Sequence, residues 1–145
     1  MLTEADEEQK VAAATARMIG DVKDCNGKYA AGYAKSAVAR TDCINRALNA
    51  MQSFYPYPDV LDRFRTNRNA IAEKFSAGGL TLARANEQLN EQRRIMIDEE
   101  TKRLPDAGAA RAGSAGYKPR HGTLFDAVLK TPVQCGPSDP SVNCL

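Results

Sequence analysis

The stretch CNGKYAAGYAKSAVARTDC, residues 25–43, decides the fold because a cysteine stands at each end of it. In one continuous helix the Cα atoms of Cys25 and Cys43 would lie about 27 Å apart, at a rise of about 1.5 Å per residue. A disulfide allows about 7 Å at most, so the bond and an unbroken helix exclude each other. Asn26-Gly27 and Gly32 readily adopt turn dihedrals. We therefore predict a Cys25–Cys43 disulfide and a helix break near Asn26-Gly27.

The two remaining cysteines, Cys135 and Cys144, enclose the turn-rich sequence CGPSDPSVNC. Four cysteines allow three connectivities, and we favour local pairing because short loops close most readily. Neither pair has the two-to-four-residue spacing of zinc ligands, and His121 is the single histidine of the chain. No CxxC motif is present. The cysteines therefore favour two structural disulfides and an oxidising compartment, with no metal and no cofactor.

Charge and hydropathy narrow the classes of partner. A formal net charge of +2 gives no electrostatic reason to expect nucleic acid or an anionic membrane. No stretch approaches the roughly 20 apolar residues of a membrane span. The start, MLTEADEEQK, lacks the basic and apolar regions of a signal peptide. Because the cysteines favour an oxidising compartment, we expect a periplasmic or secreted bacterial protein whose signal was removed. The alternative location is the cytoplasm.

Apolar periodicity predicts helices over residues 3–24, 36–54, 59–77 and 81–104. One face of each helix carries its apolar residues: Val11, Met18, Val22 and Cys25; Ile44, Leu48, Met51 and Tyr55; Val60, Leu61, Phe64, Ile71 and Phe75; Leu82, Leu89 and Met96. The prolines within 55–58 and the sequence Ala77-Gly78-Gly79 stop the second and third helices. Short connections make neighbouring helices antiparallel. The predicted fold is all-α, a small antiparallel bundle of two helical hairpins, 3–54 and 59–104.

Composition divides the chain into a helical domain, residues 1–104, and an Ala/Gly/Pro-rich tail, residues 105–145. The tail contains one amphipathic segment, 123–130, with Leu124, Phe125, Val128 and Leu129 as its apolar residues. A helix of two turns is too short to be stable alone. We therefore expect it to dock into a groove on this protein or on a partner, while a disulfide closes the loop 135–144.

Two sets of residues are candidates for binding a partner: the tail residues Leu124, Phe125, Val128 and Leu129, and the aromatic corner of Tyr55 and Tyr57 beside prolines. No catalytic motif is found, since phosphate-loop and serine-hydrolase patterns fail at their essential residues. The bases Arg63, Arg65, Arg68 and Lys74 alternate with acids, which predicts a solvated mixed face. The same interpretation applies to Glu99 and Glu100.

These observations predict a non-enzymatic periplasmic or envelope protein that acts through protein–protein interaction. Assembly into a homo-oligomer is one form of this interaction. The helical faces or the segment 123–130 would provide the contact. One alternative is a bundle that binds a small ligand or metal through Met18, Met51, Met96, His121 and the cysteines. The other is a cytosolic regulatory protein with reduced cysteines.

Overall fold

The computed structural model describes residues 4–111 and 144–145. Within these residues lie four α-helices and no strand: α1 Glu4–Lys28, α2 Ala37–Leu48, α3 Pro58–Ser76 and α4 Leu82–Arg111, with a 3-10 turn at Asn49–Met51 after α2. The all-α prediction is confirmed.

Consecutive helices pack against each other in an antiparallel bundle. Between α2 and α3, Asn45 bonds to Asn69 while Arg65 bonds to Asn49. Between α3 and α4, Asn67 bonds to Gln92 while Asp59 bonds to Arg103. In both pairs of helices the earlier residues of one contact the later residues of the other, which is the register expected from short connections.

The Cys25–Cys43 disulfide joins α1 to α2, with Cα atoms 5.8 Å apart. The predicted bond is confirmed, and the helix break lies just after Asn26-Gly27, because α1 continues to Lys28. The chain reverses later, at residues 29–36, where Gly32 has a φ of +93°. The bond requires only that the chain turn back before Cys43, and Gly32 is the residue that adopts the left-handed conformation.

The core follows the predicted apolar stripes. Their buried members are Val11, Met18, Val22, Cys25, Ile44, Leu48, Met51, Tyr55, Val60, Leu61, Phe64, Ile71, Phe75, Leu89 and Met96. Leu82 is partly buried at the edge of this cluster. Most of the bundle's apolar contacts were therefore encoded in helical spacing.

The ends of α3 and α4 show how the sequence positions the last two helices. Gly78, with a φ of +83°, follows α3, and the N–H of Gly79 donates to the Lys74 carbonyl at 2.8 Å. The Thr81 hydroxyl accepts the N–H of Arg84 at the start of α4. This helix runs to Arg111 instead of ending at Leu104. The alanines within 105–111 favour helix and offset the interruption that proline was expected to cause.

Several tail predictions lie outside the described residues: the helix 123–130, the loop 135–144 with Cys135, and His121. Cys144 lies within them and is disulfide-bonded. None of the helices in the described ranges is long and apolar enough to cross a membrane.

Candidate functional site

The Leu145 socket is a buried polar site that holds the last two residues of the sequence. We define it as Gly32, Arg40, Arg68 and Asn86, contributed by the α1–α2 turn, α2, α3 and α4. Cys144 and Leu145, the dipeptide inside it, are each 1 % exposed. Four separate segments of the bundle therefore converge on two residues that follow them by more than fifty positions in the sequence.

Backbone hydrogen bonds seat the dipeptide in the socket. The Leu145 N–H donates to Oδ1 of Asn86 at 2.8 Å. The N–H of Gly32 donates to the Leu145 carbonyl at 2.5 Å. Arg40 and Arg68 each donate to the Cys144 carbonyl, at 3.3 and 3.4 Å. Since an unpaired backbone group in the interior costs about 1–3 kcal/mol, these bonds allow the dipeptide to be buried.

Arg40 and Arg68 are completely buried. Arg40 also donates to the Asn26 side chain and to the Tyr29 carbonyl, the latter at 3.0 Å, so it braces the turn that carries Gly32. Burial lowers the pKa of Arg40 to about 10. Burial and the neighbouring charge of Arg40 lower the pKa of Arg68 to about 9. Both side chains remain cationic at neutral pH, where they act as hydrogen-bond donors.

The placement of Arg68 corrects the sequence interpretation, which assigned it to a solvated mixed face. The signal was present in its spacing, because Arg68 lies four residues after Phe64 and three before Ile71, on the buried face of α3. Arg40 likewise precedes the buried Ile44 by one turn of α2. A basic residue in phase with an apolar stripe is the pattern that indicates a buried cation.

The aromatic corner is a second polar site, at the opposite end of the α3–α4 pair. Its residues are Tyr55, Tyr57, Asp59, Glu100 and Arg103. The hydroxyl of Tyr55 donates to Glu100, which is 6 % exposed. Glu100 is therefore not on a solvated face as expected; it lies one turn after the buried Met96, on the inner side of α4.

An ion pair forms the outer part of this corner. Arg103 donates two hydrogen bonds to the Asp59 carboxylate, at 2.8 and 2.5 Å, and its guanidinium lies 5.4 Å from the centre of the Tyr57 ring. Hydrogen bonding from Arg103 lowers the pKa of Asp59 to about 2. Arg103 also bonds to Glu99, four residues earlier on α4, at 3.3 Å. This network ties the start of α3 to α4.

Tyr55 and Tyr57 do not form an exposed aromatic surface. They are 7 % and 8 % exposed, and their rings meet edge to face with centroids 6.0 Å apart. The other predicted partner-binding residues, Leu124, Phe125, Val128 and Leu129, lie outside the described residues. A partner at the aromatic corner would contact little of either ring.

The exposed apolar side chains are elsewhere. Tyr33 is 64 % exposed on the α1–α2 turn, next to Gly32 of the socket. Ile95 is 36 % exposed on α4 beside a shallow groove whose floor includes Val60, Phe64 and Met96. Proline neighbours suggested that Tyr55 and Tyr57 would be exposed, whereas Tyr55 continues the buried stripe of Leu48 and Met51.

The residues that the structure describes offer few side chains that could bind a metal ion. No group of three or more His, Cys, Asp or Glu side chains there is arranged to hold a metal ion. Cys25, Cys43 and Cys144 are in disulfides. Met18, Met51 and Met96, proposed as ligands in the alternative hypothesis, are side chains of the apolar core.

Comparisons of the chain with protein-family models, with curated proteins and with solved structures find no match. The arguments for function therefore come from the chain's own residues.

Proposed function

We propose that this is a non-enzymatic protein of the periplasm or bacterial envelope that acts by binding another protein. The exposed ring of Tyr33 carries this proposal. Tyrosine supplies a large contact area for the loss of few rotatable bonds and is common among the residues that dominate binding energy. The α1–α2 turn would present this ring to the partner.

The rigidity of the Tyr33 turn supports its role as a contact. The turn lies inside the loop closed by Cys25–Cys43. Before Tyr33, Arg40 donates to the Tyr29 carbonyl and the Gly32 N–H donates to the Leu145 carbonyl; after it, the Ser36 N–H donates to the Tyr33 carbonyl at 3.2 Å. A segment that is ordered before binding loses less conformational entropy on association.

The shallow depression between α3 and α4 supports a second contact with the partner, through the exposed Ile95 side chain. Ile95 stands at its edge, and its rim is polar, with Arg63, Gln92 and Glu99. An apolar centre with a polar rim is the usual anatomy of an interface. The segment 123–130 is a further proposed contact, either with the partner or with a second copy of the chain.

The disulfide bond supports the periplasmic or secreted location, because such bonds persist in oxidising compartments. A thiol titration of the denatured, unreduced protein, purified from its native compartment, tests this location. We expect no titratable thiol. Four titratable thiols would favour the cytosolic alternative.

The binding proposal is tested by co-purification from an envelope extract of the source cells, quantified by mass spectrometry, with the wild type and Tyr33→Ala. We expect a specific partner to be depleted about 30-fold in the Tyr33→Ala sample, as for loss of an interface residue worth about 2 kcal/mol. Lys35→Ala, an exposed change in the same turn, is the matched control and should retain the partner.

Two further measurements complete this test. Denaturation of Tyr33→Ala should match the wild type to about 0.5 kcal/mol, because the ring is exposed. Sedimentation velocity distinguishes a foreign partner from a second copy. A monomer that enriches no protein, or a partner bound equally well by Tyr33→Ala and Ile95→Glu, would contradict the proposal.

A further inference from the structure

The dipeptide Cys144–Leu145 is held in the way that a bound peptide is held. Its contacts come from α2, α3, α4 and the α1–α2 turn, through a side-chain amide, two guanidinium groups and one backbone N–H. Both residues are almost fully buried. The socket thus recognises the peptide backbone at three successive polar groups, which gives a defined register.

Cys144 adds a covalent element to this seat because it is disulfide-bonded. A thiol reductant must bring its sulfur into line with the disulfide, so access limits the reaction. At 1 % exposure, Cys144 has almost no surface through which this approach can occur. The Cys25–Cys43 bond differs, since Cys43 is partly exposed and both cysteines line a surface depression beside Asp21 and Asp24.

We infer that Cys144–Leu145 is a redox-sensitive latch: seating in the Leu145 socket shields the Cys144 disulfide, and the disulfide in turn favours seating. Reduction requires release of the dipeptide. Two thiols of the reductant then supply two electrons and two protons, the cysteine disulfide becomes two thiols, and the reductant becomes a disulfide. By linkage, a disulfide that stabilises seating is itself stabilised by seating to the same extent, so reduction must weaken the seat.

The first test follows reduction of the native, fully oxidised chain by dithiothreitol. Samples are quenched with iodoacetamide, and peptide mapping measures the alkylation of each cysteine and identifies the partner of Cys144. In the wild type we expect Cys43 to be alkylated first and Cys144 at least about ten-fold later. In Asn86→Ala, which removes the acceptor of the Leu145 N–H, Cys144 should be alkylated about ten-fold faster.

Asn90→Ala, the same change one turn further along α4, is the matched control and should leave the Cys144 rate as in the wild type. The rate at Cys43 should be equal in all three proteins, which separates release of the latch from unfolding of the bundle. An unchanged Cys144 rate in Asn86→Ala overturns the inference. So does a wild-type Cys144 that reacts as fast as in the chemically denatured chain.

Amide hydrogen exchange in the double variant Cys135→Ser/Cys144→Ser provides a second test that does not depend on reductant. The Gly32 N–H, bonded to the Leu145 carbonyl, should exchange at least about ten-fold faster than in the wild type. The Tyr29 N–H, bonded to the Cys25 carbonyl at 2.8 Å, reports the same turn without the latch and should keep its protection. Equal protection of Gly32 in both proteins would show that seating is independent of the disulfide and would overturn the coupling.

Discussion

Arg68 and Arg103 belong to neighbouring helices but meet opposite surroundings. Arg68 is fully buried in the Leu145 socket, where burial is the main cause of its lowered pKa. Arg103 is partly exposed in the aromatic corner, where the hydrogen bond to Asp59 raises its pKa. The buried arginine therefore contributes hydrogen bonds and volume against the cost of burying its charge, while Arg103 acts through an ion pair that water and salt screen. Substitutions in the socket should consequently cost more.

The largest effect is expected from Arg68→Ala. It removes a donor to the Cys144 carbonyl and leaves a cavity, so we expect a loss of about 3–5 kcal/mol in the free energy of unfolding. Arg68→Met keeps most of the volume and removes the repulsion with Arg40, so its loss should be smaller. Urea denaturation measures both, with the exposed Arg63→Ala as a control within about 0.5 kcal/mol of the wild type. Equal stability of Arg68→Ala and Arg63→Ala would contradict the conclusion that substitutions in the socket cost more than substitutions of exposed arginines.

Removal of the disulfide that encloses the Gly32 turn should rank next. The double variant Cys25→Ser/Cys43→Ser is expected to lose about 3 kcal/mol, because the unfolded chain regains the entropy of an open loop. The loosened turn should also release Gly32 from Leu145, whereas the Tyr55–Glu100 bond should persist. Urea denaturation and hydrogen exchange at Gly32 check these two outcomes. Undiminished Gly32 protection would show that the socket is independent of this disulfide.

Gly32→Ala should destabilise the socket by about 1–2 kcal/mol, since a side chain at positive φ is strained. An added Cβ would also lie 3.4 Å from Cδ2 of Leu82. Gly20→Ala is the matched control: it lies inside α1 with open space around it, and alanine there should stabilise the helix by about 0.5–1 kcal/mol. The two substitutions should therefore shift the thermal midpoint in opposite directions. A shift in the same direction would contradict the role of Gly32.

The smallest effect is expected at the aromatic corner, on acidification. The pKa of Asp59 is held at about 2 by Arg103, below the value near 3.9 of an unfolded chain. The stabilisation by this pair is therefore complete above about pH 4 and is lost as the pH falls toward 2. NMR titration should show the Asp59 pKa returning toward its ordinary value in Arg103→Gln. Added salt should change the pKa values of the buried arginines less than those of the Asp59–Arg103 pair. An unchanged Asp59 pKa in that variant would contradict the assignment.

The helices and the first disulfide were predictable because each depends on local spacing. Val60, Leu61 and Phe64 are buried where periodicity placed them, and the distance between Cys25 and Cys43 required a turn. The socket was not predictable in the same way, because the Arg40–Cys144 bond spans 104 residues and the Arg68–Cys144 bond spans 76. Local pattern can show that a basic residue lies on an apolar face, but it does not show which distant carbonyl will accept its hydrogen bonds.

The long separation between the socket and its occupant has a consequence for folding. The helices form and pair through contacts between sequence neighbours, which are fast to establish. All four socket residues are synthesised well before Cys144 and Leu145, so we expect both guanidinium groups to keep water where the Cys144 carbonyl will later bind. Loss of that hydration is then the closing step of assembly, and protection of the Gly32 amide marks the molecules that have completed it.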